Sequence, residues 1–358
     1  MTNEDYNIKN ILNRVFSNEK LSLNEAKDLF RKVIEGKMQN SYVTAILKQI
    51  SSRGETVDEI LAMIQIIKEN SITIHPSIKT NLIDICGTGG DKIKTFNIST
   101  ASAIVAASAG SIIAKHGNRS ASSLCGSADF FEFIGLNLDN SPHAISRSIE
   151  KIGIGFLFAP IFHPILKNVS KLRKDINMRT IFNIAAPLCN PCENLTGQII
   201  GVSDPLLLNK LAKVTERIDK KFFIIHSHDG FDEISNTGSN MIIYVNKGEI
   251  NKYNLNPIEI GIPITNLDNI SIKNKEESIR LTLESIYGLA RKEIEDIVVL
   301  NSAPVLVLSD IAKDMKEGID ISRSVIKEGK ARKKLEDLIS FSGENEKLFE
   351  AEKHFNII

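Results

Sequence analysis

A glycine-rich segment, residues 87–91 with the letters GTGGD, follows a short apolar stretch and precedes a hydroxyl-rich run at residues 95–100. Glycine lets the backbone approach a ligand closely, and a helix that begins just after such a loop offers free N–H groups to an anion. A tight turn without a ligand would explain the glycines, but the Thr, Asn and Ser side chains of 95–100 add donors. The segment therefore predicts a phosphate or pyrophosphate site, and its spacing disfavours GxGxxG and Walker A loops.

A second segment, residues 115–120 with the letters KHGNRS, has the same position between an apolar stretch and a helical pattern that starts with GSAD at 126–129. Lys115 and Arg119 supply positive charge. Three serines supply hydroxyl groups: Ser122, Ser123 and Ser127. Loops that follow parallel strands meet at the carboxyl edge of a sheet, so the two segments are predicted to converge on one anion. The alternative, two unrelated polar loops, is disfavoured by the repeated strand–loop–helix order.

Two adjacent acids, Asp232 and Glu233, follow the apolar stretch 222–225 and its loop. Mg²⁺ is usually held by one or two carboxylates, while phosphate oxygens and water complete its shell. Adjacent acids also favour the start of a helix, and for an isolated pair this simpler explanation is preferred. The residues alone leave both interpretations open.

His226 and His228 lie at the end of the same stretch, with a spacing that can bind a catalytic metal in hydrolases. Such a site needs supporting histidines, and the other five form no second cluster. A metal-dependent hydrolase is therefore the alternative enzyme class. Cys189 and Cys192 have the CxxC spacing of zinc sites, but without a second ligand pair a turn with incidental thiols is the preferred interpretation.

Arg173 follows the segment 158–164 and precedes Arg179. Arginine can bind a carboxylate through two hydrogen bonds. A single arginine is more often a surface residue, so residue type alone does not assign Arg173 to a site.

These segments need elements that bring them together. Apolar residues recur at helical spacing through residues 1–72, which predicts helices, and after a linker near 76–79 apolar stretches alternate with helical patterns. This order predicts an α/β fold, in which a small all-helical domain accompanies a larger α/β domain with a mainly parallel central sheet flanked by helices. The predicted strands are 81–86, 112–116, 152–158, 222–225 and 241–245, and the predicted helices after residue 80 are 99–109, 127–133, 275–289, 319–329 and 331–339.

The predicted domains are a helical domain at 1–74, completed by helices within about 162–190, and an α/β domain at 80–358. The charged stretch 273–296 is predicted to be a solvated helical face.

Composition excludes several classes of function. The 358 residues contain 44 Lys and Arg and 44 Asp and Glu, so no basic excess indicates nucleic-acid binding. Trp is absent and aromatic residues make up 6%, which also disfavours base stacking. Four cysteines are too few for a disulfide scaffold, and neither a signal-peptide pattern nor a membrane-length apolar run is present. We therefore expect a reduced, cytoplasmic enzyme without nucleic-acid or membrane partners.

Taken together, the motifs resemble those of the anthranilate phosphoribosyltransferase family, which shares its fold with nucleoside phosphorylases. GTGGD at 87–91 with TFNIST at 95–100 is similar to the first family signature, and KHGNR at 115–119 with GSAD at 126–129 is similar to the second. The segment 154–164 with Arg173 is similar to the third, and Asp232 with Glu233 resembles the metal-binding acids. The resemblance covers most of the chain.

The resemblance implies transfer of a 5-phosphoribosyl group from phosphoribosyl pyrophosphate to anthranilate, with Mg²⁺ as cofactor, in tryptophan biosynthesis. It implies donor binding by Gly87, Gly90, Asp91, Thr95, Asn97, Ile98, Ser99, Thr100, Lys115, His116, Gly117, Asn118, Arg119, Ser120, Ser122, Ser123 and Ser127. It implies anthranilate binding by Gly87, His116, Asn118, His163, Arg173 and Pro187. Ser99, Asp232 and Glu233 would hold Mg²⁺, no residue would act as acid or base, and a homodimer would form through the helical domain.

The sequence departs from the family pattern at three places: Ala186 stands where glycine is common, Lys171 where proline is common, and Ser227 where glycine often follows the strand histidine. None of these removes an implied ligand-binding residue, so they bear on acceptor specificity. A non-catalytic binding protein with the same fold is the remaining alternative, and retention of both GTGGD and Asp232-Glu233 disfavours it.

Overall fold

The computed structural model describes residues 3–91, 93–120 and 123–358, and the chain forms two compact units. One, here called the helical unit, comprises the chain up to Ile72 together with Pro160–Pro191. The other, here called the α/β unit, comprises Thr73–Ala159 and Cys192–Ile358.

The elements in chain order are α1 (Asn3–Phe16), α2 (Leu23–Ile34), α3 (Asn40–Arg53), α4 (Val57–Glu69), β1 (Leu82–Gly87), α5 (Ile98–Ser108), β2 (Ile112–Gly117), α6 (Ser127–Phe133), α7 (Pro142–Ile152), β3 (Ile154–Phe158), α8 (Ala159–Phe162), α9 (Lys167–Ile176), α10 (Ile181–Ala185), β4 (Gly197–Gly201), α11 (Pro205–Thr215), β5 (Lys221–Ser227), β6 (Asn240–Asn246), β7 (Glu249–Leu255), α12 (Lys275–Tyr287), α13 (Lys292–Leu308), α14 (Met315–Lys327), α15 (Lys330–Ser342) and α16 (Asn345–His354). Short 3₁₀ turns lie at Pro164–Leu166, Ala186–Cys189, Pro257–Ile260 and Leu267–Asn269.

The helical unit is held by capped helices that pack their apolar faces together. Thr56 and Glu59 form reciprocal hydrogen bonds at the start of α4, which satisfy backbone donors that a helix end leaves open. Glu59 is fully buried, and Arg53 at the end of α3 forms an ion pair with it. Leu29 and Phe30 of α2 are also fully buried, and α2 and α4 pack together extensively. The predicted run of helices through residues 1–72 is therefore confirmed.

The α/β unit is built on one seven-stranded sheet in the order β3-β2-β1-β4-β5-β6-β7. Strands β1 to β5 are parallel, whereas β6 and β7 are antiparallel additions at one edge. The buried helices α5 and α13 pack against each other, and α13 also contacts β1 and β4. This architecture confirms the predicted fold class, in which helices cover a mainly parallel sheet.

The neighbouring strands β1 and β2 separate toward their carboxyl ends. Their register stops at Ile83 opposite Ile113, whereas β1 stays paired with β4 as far as Gly87 opposite Gly201. Side chains bridge the gap: Asp84 Oδ1 accepts a hydrogen bond from the backbone N–H of His116 (3.1 Å), and Lys115 Nζ donates to the carbonyl of Ile85 (2.9 Å). The sheet is therefore open between the two strands whose following loops carry the glycine motifs.

Two strands were not predicted, and each has a physical reason. Strand β4 has glycine at both ends and Gln198 inside, so its apolar run is too short to detect. Strand β7 is an edge strand, exposed at all residues except Leu255, and it carries polar side chains on both faces. The predicted strand 152–158 begins at Ile154 because α7 continues to Ile152 and Gly153 closes it in a left-handed conformation.

The charged stretch 273–296 was predicted to be a solvated helical face. This prediction was wrong for the residues that face the protein core. Helix α12 buries Ser278, Leu281 and Leu283, and α13 is buried along most of its length despite its charged first turn. Helices α7, α11, α13 and α16 were not predicted. No helix among the described residues is long and apolar enough to cross a membrane.

Candidate active site

Three loops of the α/β unit meet at the carboxyl edge of the sheet. The backbone N–H of Thr88 donates to the carbonyl of Gly201 after β4 (2.9 Å), and the N–H of Gly89 donates to Asp232 Oδ2 after β5 (2.7 Å). Ser203 Oγ donates to the carbonyl of Gly89 (2.8 Å). The glycine loop after β1 is thus tied directly to the acidic segment, as its position after a parallel strand led us to expect.

Two glycines are required by the close approach of Asp232 to the strand ends. A Cβ atom on Gly87 would lie 2.0 Å from Asp232 Oδ2, and one on Gly201 would lie 1.4 Å from the Asp232 carbonyl oxygen. A Cβ atom on residue 87 would displace the Asp232 carboxylate, whereas one on residue 201 would overlap the Asp232 backbone. Gly89 and Gly90 serve a different need, because their φ angles of 65° and 86° lie in the left-handed region.

Asp91, Asp232 and Glu233 form an acidic cluster beside this loop. Burial and the neighbouring Asp232 raise the pKa of Asp91 to about 6, against the weaker opposite effect of Lys94. Burial, followed by the charges of Asp232 and Asp91, raises the pKa of Glu233 well above its usual range. Negative charge in this cluster is therefore poorly compensated by the protein itself.

The acidic cluster fits a divalent cation. Glu233 Oε2 is buried and has no hydrogen-bond partner among the described residues. Burial without a partner destabilises the folded state, because the oxygen loses its hydrogen bonds to water. The described part of the chain has no group of three or more Asp, Glu, His or Cys residues placed to enclose a metal. A cation held here would take other ligands from its substrate and from water, which is how Mg²⁺ is usually bound.

Lys115 lies below the acidic cluster rather than at the surface of the site. The residue is only 1% exposed, and its ammonium donates to Ser99 Oγ (3.4 Å) as well as to the Ile85 carbonyl. Burial lowers the pKa of Lys115, and the charges of Asp84 and Glu233 are among those that oppose this shift. Lys115 is therefore a buried positive charge within hydrogen-bonding reach of Ser99 Oγ.

The start of α5 offers fewer free donors than the sequence suggested. Asn97 Nδ2 donates to the carbonyl of Cys125 (3.1 Å), and Asn97 Oδ1 accepts from Ser278 Oγ (2.9 Å). Thr100 is fully buried, and its hydroxyl has no hydrogen-bond partner among the described residues. Thr95 and Ile98 are also buried, so Ser99 is the half-buried hydroxyl that this helix start presents. Asn97 joins the two glycine-bearing loops, because Cys125 belongs to the second.

The second loop is organised around Asp129 and Arg119. Asp129 Oδ2 accepts from the backbone N–H groups of Ser120 (3.1 Å) and Gly126 (2.9 Å). The two terminal nitrogens of Arg119 each donate to Glu132 at 2.7 Å, and one also approaches Asp129 at 3.4 Å. The Arg119 guanidinium is therefore already paired within its own loop.

Other predicted residues of the second loop have local partners or are exposed. Ser127 Oγ donates to the carbonyl of Asn118 (3.4 Å), and the side chain of Asn118 is exposed. Ser120 Oγ and Ser123 Oγ are 2.9 Å apart. A Cβ atom on Gly117 would lie 2.3 Å from Ser127 Oγ. His116 is buried, and Ser122 lies outside the described residues.

Three of the predicted acceptor residues belong to the helical unit. The guanidinium of Arg173 lies 5.1 Å from the ring centre of Phe182, and no carboxylate among the described residues pairs with it. Burial lowers the pKa of Arg173. Burial also lowers the pKa of His163 to about 4, and its Nδ1 lies 2.7 Å from Ser71 Oγ. Pro187 is buried.

The histidine and cysteine pairs do not form metal sites in the described residues. His226 is buried with Nδ1 2.8 Å from the carbonyl of Val202, whereas His228 is exposed. Burial raises the pKa of both Cys189 and Cys192 to about 12, so their thiolates are strongly disfavoured at neutral pH. The geometry thus gives no support to the hydrolase alternative or to a zinc site.

Several residues of the site were not predicted. Ser203 follows β4 and would have been found if that strand had been recognised. Gln198 donates to Asp84 Oδ2 (2.9 Å) beneath the site. Asn301 lies on α13 and bonds to Ile234 beside the acidic cluster. Its only signal in the sequence is an amide inside an otherwise apolar run.

Two family models match this chain. The Glycosyl transferase family α/β domain matches residues 79–332, and the helical bundle domain of the same family matches residues 9–71. Fold and site together therefore define a member of this class of glycosyl transferases.

Named relatives narrow the class. The anthranilate phosphoribosyltransferase of Persephonella marina is 38% identical over 94% of this chain and 99% of its own length, and that of Petrotoga mobilis is 38% identical over 92% and 96%. The crystal structure of the enzyme from Thermus thermophilus superposes with a TM-score of 0.86 at 33% identity, covering 92% of this chain and 98% of that one. The chain belongs to the anthranilate phosphoribosyltransferase family. The enzyme from Saccharomyces cerevisiae, solved in complex with PRPP and Mg, shares the fold at 24% identity.

Proposed function

We propose that this protein transfers the 5-phosphoribosyl group of phosphoribosyl pyrophosphate to the amino group of anthranilate, giving N-(5-phosphoribosyl)anthranilate and pyrophosphate in tryptophan biosynthesis. The observation that carries the proposal is the acidic cluster, which adjoins a glycine loop at the sheet edge and lacks full charge compensation. Such a site suits a metal–pyrophosphate group. Membership of the family supplies the two substrates.

The donor would be bound along the edge of the sheet. Backbone N–H groups that the loop 87–91 and the start of α5 do not use internally would donate to the pyrophosphate, which is how glycine loops and helix starts bind anions. Asp232 and Glu233, with the hydroxyl of Ser99, would hold Mg²⁺. When bound, Mg²⁺ stabilises the negative charge that grows on the leaving pyrophosphate. Lys115 adds a fixed positive charge from below, at 3.4 Å from Ser99 Oγ.

The acceptor needs positioning rather than proton transfer. An aromatic amine is neutral near pH 7 and can attack without a base, so catalysis depends on orientation and on charge stabilisation. Arg173 supports this role because its guanidinium lies over Phe182 without a carboxylate partner among the described residues. His163, whose pKa is about 4, is neutral at pH 7 and would line the acceptor site as an uncharged ring.

The direct test is a fluorescence assay of anthranilate consumption with the pure protein, phosphoribosyl pyrophosphate and Mg²⁺. We expect consumption that depends on both added components and stops when EDTA removes the metal. Folded protein that consumes no anthranilate under these conditions would contradict the proposed acceptor. Substituted anthranilates tested in the same assay would show whether Ala186 narrows acceptor choice.

Turnover would also exclude the non-catalytic binding alternative. The homodimer and the cytoplasmic location remain predictions of this proposal. Light scattering on the purified protein would test the dimer, because the mass of one chain is 39.7 kDa.

A further inference from the structure

Asn301 on α13 holds the backbone of Ile234, which directly follows Asp232 and Glu233. Asn301 Oδ1 accepts from the N–H of Ile234 at 2.8 Å, and Asn301 Nδ2 donates to the carbonyl of Ile234 at 2.7 Å. A third hydrogen bond runs from Nδ2 to the carbonyl of Ile297 on the same helix, at 2.8 Å. The side-chain amide of Asn301 therefore bonds both the backbone N–H and the backbone carbonyl of Ile234, which lies 67 positions away in the chain.

These hydrogen bonds restrain the peptide unit that joins Glu233 to Ile234. The N–H of Ile234 belongs to the same planar amide as the carbonyl of Glu233, so holding that N–H limits how the Glu233 backbone can rotate. Ile234 is fully buried and Asn301 is 2% exposed. Water therefore does not readily replace these bonds, and their loss would leave buried polar groups unpaired.

The neighbouring residues are held in a similar way. Asn240 at the start of β6 accepts from the N–H of Ser235 (2.8 Å) and donates to its carbonyl (2.9 Å). Before the acids, the N–H of Phe231 donates to Ser227 Oγ at 2.8 Å. The acidic segment is therefore anchored on both sides, and Asn301 is the anchor that comes from a distant helix.

Anchoring matters because the two acids are adjacent and repel each other. Both charges would be more stable if the loop moved into water. A segment free to relax would separate its carboxylates and lose affinity for a cation. A helix that contacts the sheet is a rigid support against that movement.

We propose that Asn301 is a positioning residue, which fixes Asp232 and Glu233 for cation binding by holding the backbone of Ile234. The inference rests on the proposed function, since that function places Mg²⁺ at these acids. Asn301 itself contacts neither substrate nor metal in this scheme. Residues that orient metal ligands typically change metal affinity by about 10- to 100-fold when they are replaced.

The test measures binding of Mn²⁺ by electron paramagnetic resonance, with phosphoribosyl pyrophosphate present and anthranilate absent. For Asn301→Ala we expect the Mn²⁺ dissociation constant to rise on the order of tenfold. The matched control is Ser302→Ala on the same helix. Ser302 is fully buried, and its hydroxyl donates to the carbonyls of Val298 (2.8 Å) and Ser102 (3.3 Å), away from the acidic segment. Its loss should lower the melting temperature while Mn²⁺ affinity stays unchanged.

Equal Mn²⁺ affinity in Asn301→Ala and wild type would overturn the proposal, and so would an equal loss of affinity in Ser302→Ala. If Asn301→Ala does not fold, Asn301→Ser replaces it, because the serine hydroxyl keeps one polar group at this position. Hydrogen exchange of the wild-type protein gives an independent readout, because the Ile234 amide should be strongly protected. Rapid exchange there would also overturn the proposal.

These outcomes can be separated from failure of the proposed function. Wild type that binds no Mn²⁺ with phosphoribosyl pyrophosphate would remove the metal assignment and the role of Asn301 together. Wild type that binds Mn²⁺ normally but does not consume anthranilate would contradict only the acceptor. The two measurements are made on the same protein preparation.

Discussion

The acidic cluster and the Arg119 loop lie in the same unit, but they differ in whether partners within the protein compensate their charge. At the acidic cluster, burial and mutual repulsion outweigh the nearby lysines, and Glu233 Oε2 has no hydrogen-bond partner among the described residues. In the Arg119 loop, the guanidinium already donates twice to Glu132. The first region holds poorly compensated negative charge at the expense of stability. The second must give up an internal ion pair before Arg119 can bind an anion.

The largest effect is expected when the negative charge of the acidic cluster is removed. We expect the double variant Asp232→Asn with Glu233→Gln to lower Mg²⁺-dependent kcat about a thousandfold, equivalent to ~4 kcal/mol in the barrier, because charge on the leaving group is no longer stabilised. Steady-state kinetics across a Mg²⁺ series would measure it. Glu249→Gln, on the exposed edge strand β7, is the control. Normal Mg²⁺ dependence in the double variant would contradict the metal assignment.

Arg173 extends the comparison to a positive charge that has no carboxylate partner within the described part of the chain. Arg173→Ala should raise the KM for anthranilate about 100-fold, or ~2.7 kcal/mol, because a charge-assisted bidentate contact is lost. The KM for phosphoribosyl pyrophosphate should change little. Lys167→Ala on the same helix is the matched control, since Lys167 is exposed. An unchanged KM for anthranilate would remove Arg173 from the carboxylate site.

The uncompensated charge of Asp91 should make the stability of the folded protein depend on pH. Its pKa is raised to about 6 in the folded protein, so the folded state binds its proton more tightly than the unfolded state, whose pKa is about 3.9. Between about pH 4 and pH 6 the folded state therefore loses stability as pH rises, and the loss is complete above that window. Asp91→Asn should accordingly raise the melting temperature of metal-free protein by roughly 2–4 °C at pH 7.5, an effect of about 1 kcal/mol.

No such gain is expected at pH 4, where the wild-type carboxyl is already protonated. Calorimetry of both proteins at the two pH values measures the difference, and exposed Asp139 provides the control variant Asp139→Asn. A gain of the same size at pH 4 would show that charge is not its cause.

The smallest effect is expected in the Arg119 loop. Glu132→Gln weakens the competing ion pair and should lower the KM for phosphoribosyl pyrophosphate about two- to threefold, because exposed pairs contribute only about 0.2–1 kcal/mol. Glu328→Gln removes a comparable exposed pair with Lys330 and serves as the control. A higher KM in Glu132→Gln would show that Glu132 orients Arg119 instead of competing with the donor.

The strands that carry the glycine motifs could be predicted from the sequence because their signal is local. Apolar residues before 87–91 and before 115–120 indicate strands, and glycine followed by hydroxyl residues indicates the loops. Strand β7 could not be predicted in this way, because an edge strand with two exposed faces has no apolar alternation. The fold class was nevertheless correct, since the order of strands and helices determines it.

Side-chain roles were harder to predict, because they depend on contacts between distant parts of the chain. Asn97 is predicted to contact the donor, and the contacts that the sequence does not reveal are those of its amide with Cys125 and with Ser278, 181 positions away. Lys115 is predicted at the anion, and the separation of β1 from β2 allows its ammonium to bond the carbonyl of Ile85 as well. Asn301 shows no local motif at all.

Gly201 shows that the absence of a Cβ atom can matter as much to a site as a functional side chain. A Cβ there would overlap the carbonyl oxygen of Asp232, so any other residue would displace a proposed metal ligand from the opposite side of its backbone. In a saturation library selected for growth without tryptophan, position 201 should accept only glycine. A survey of tolerated substitutions would then rank it beside the residues that touch substrate, although it supplies no charge and no hydrogen-bonding side chain.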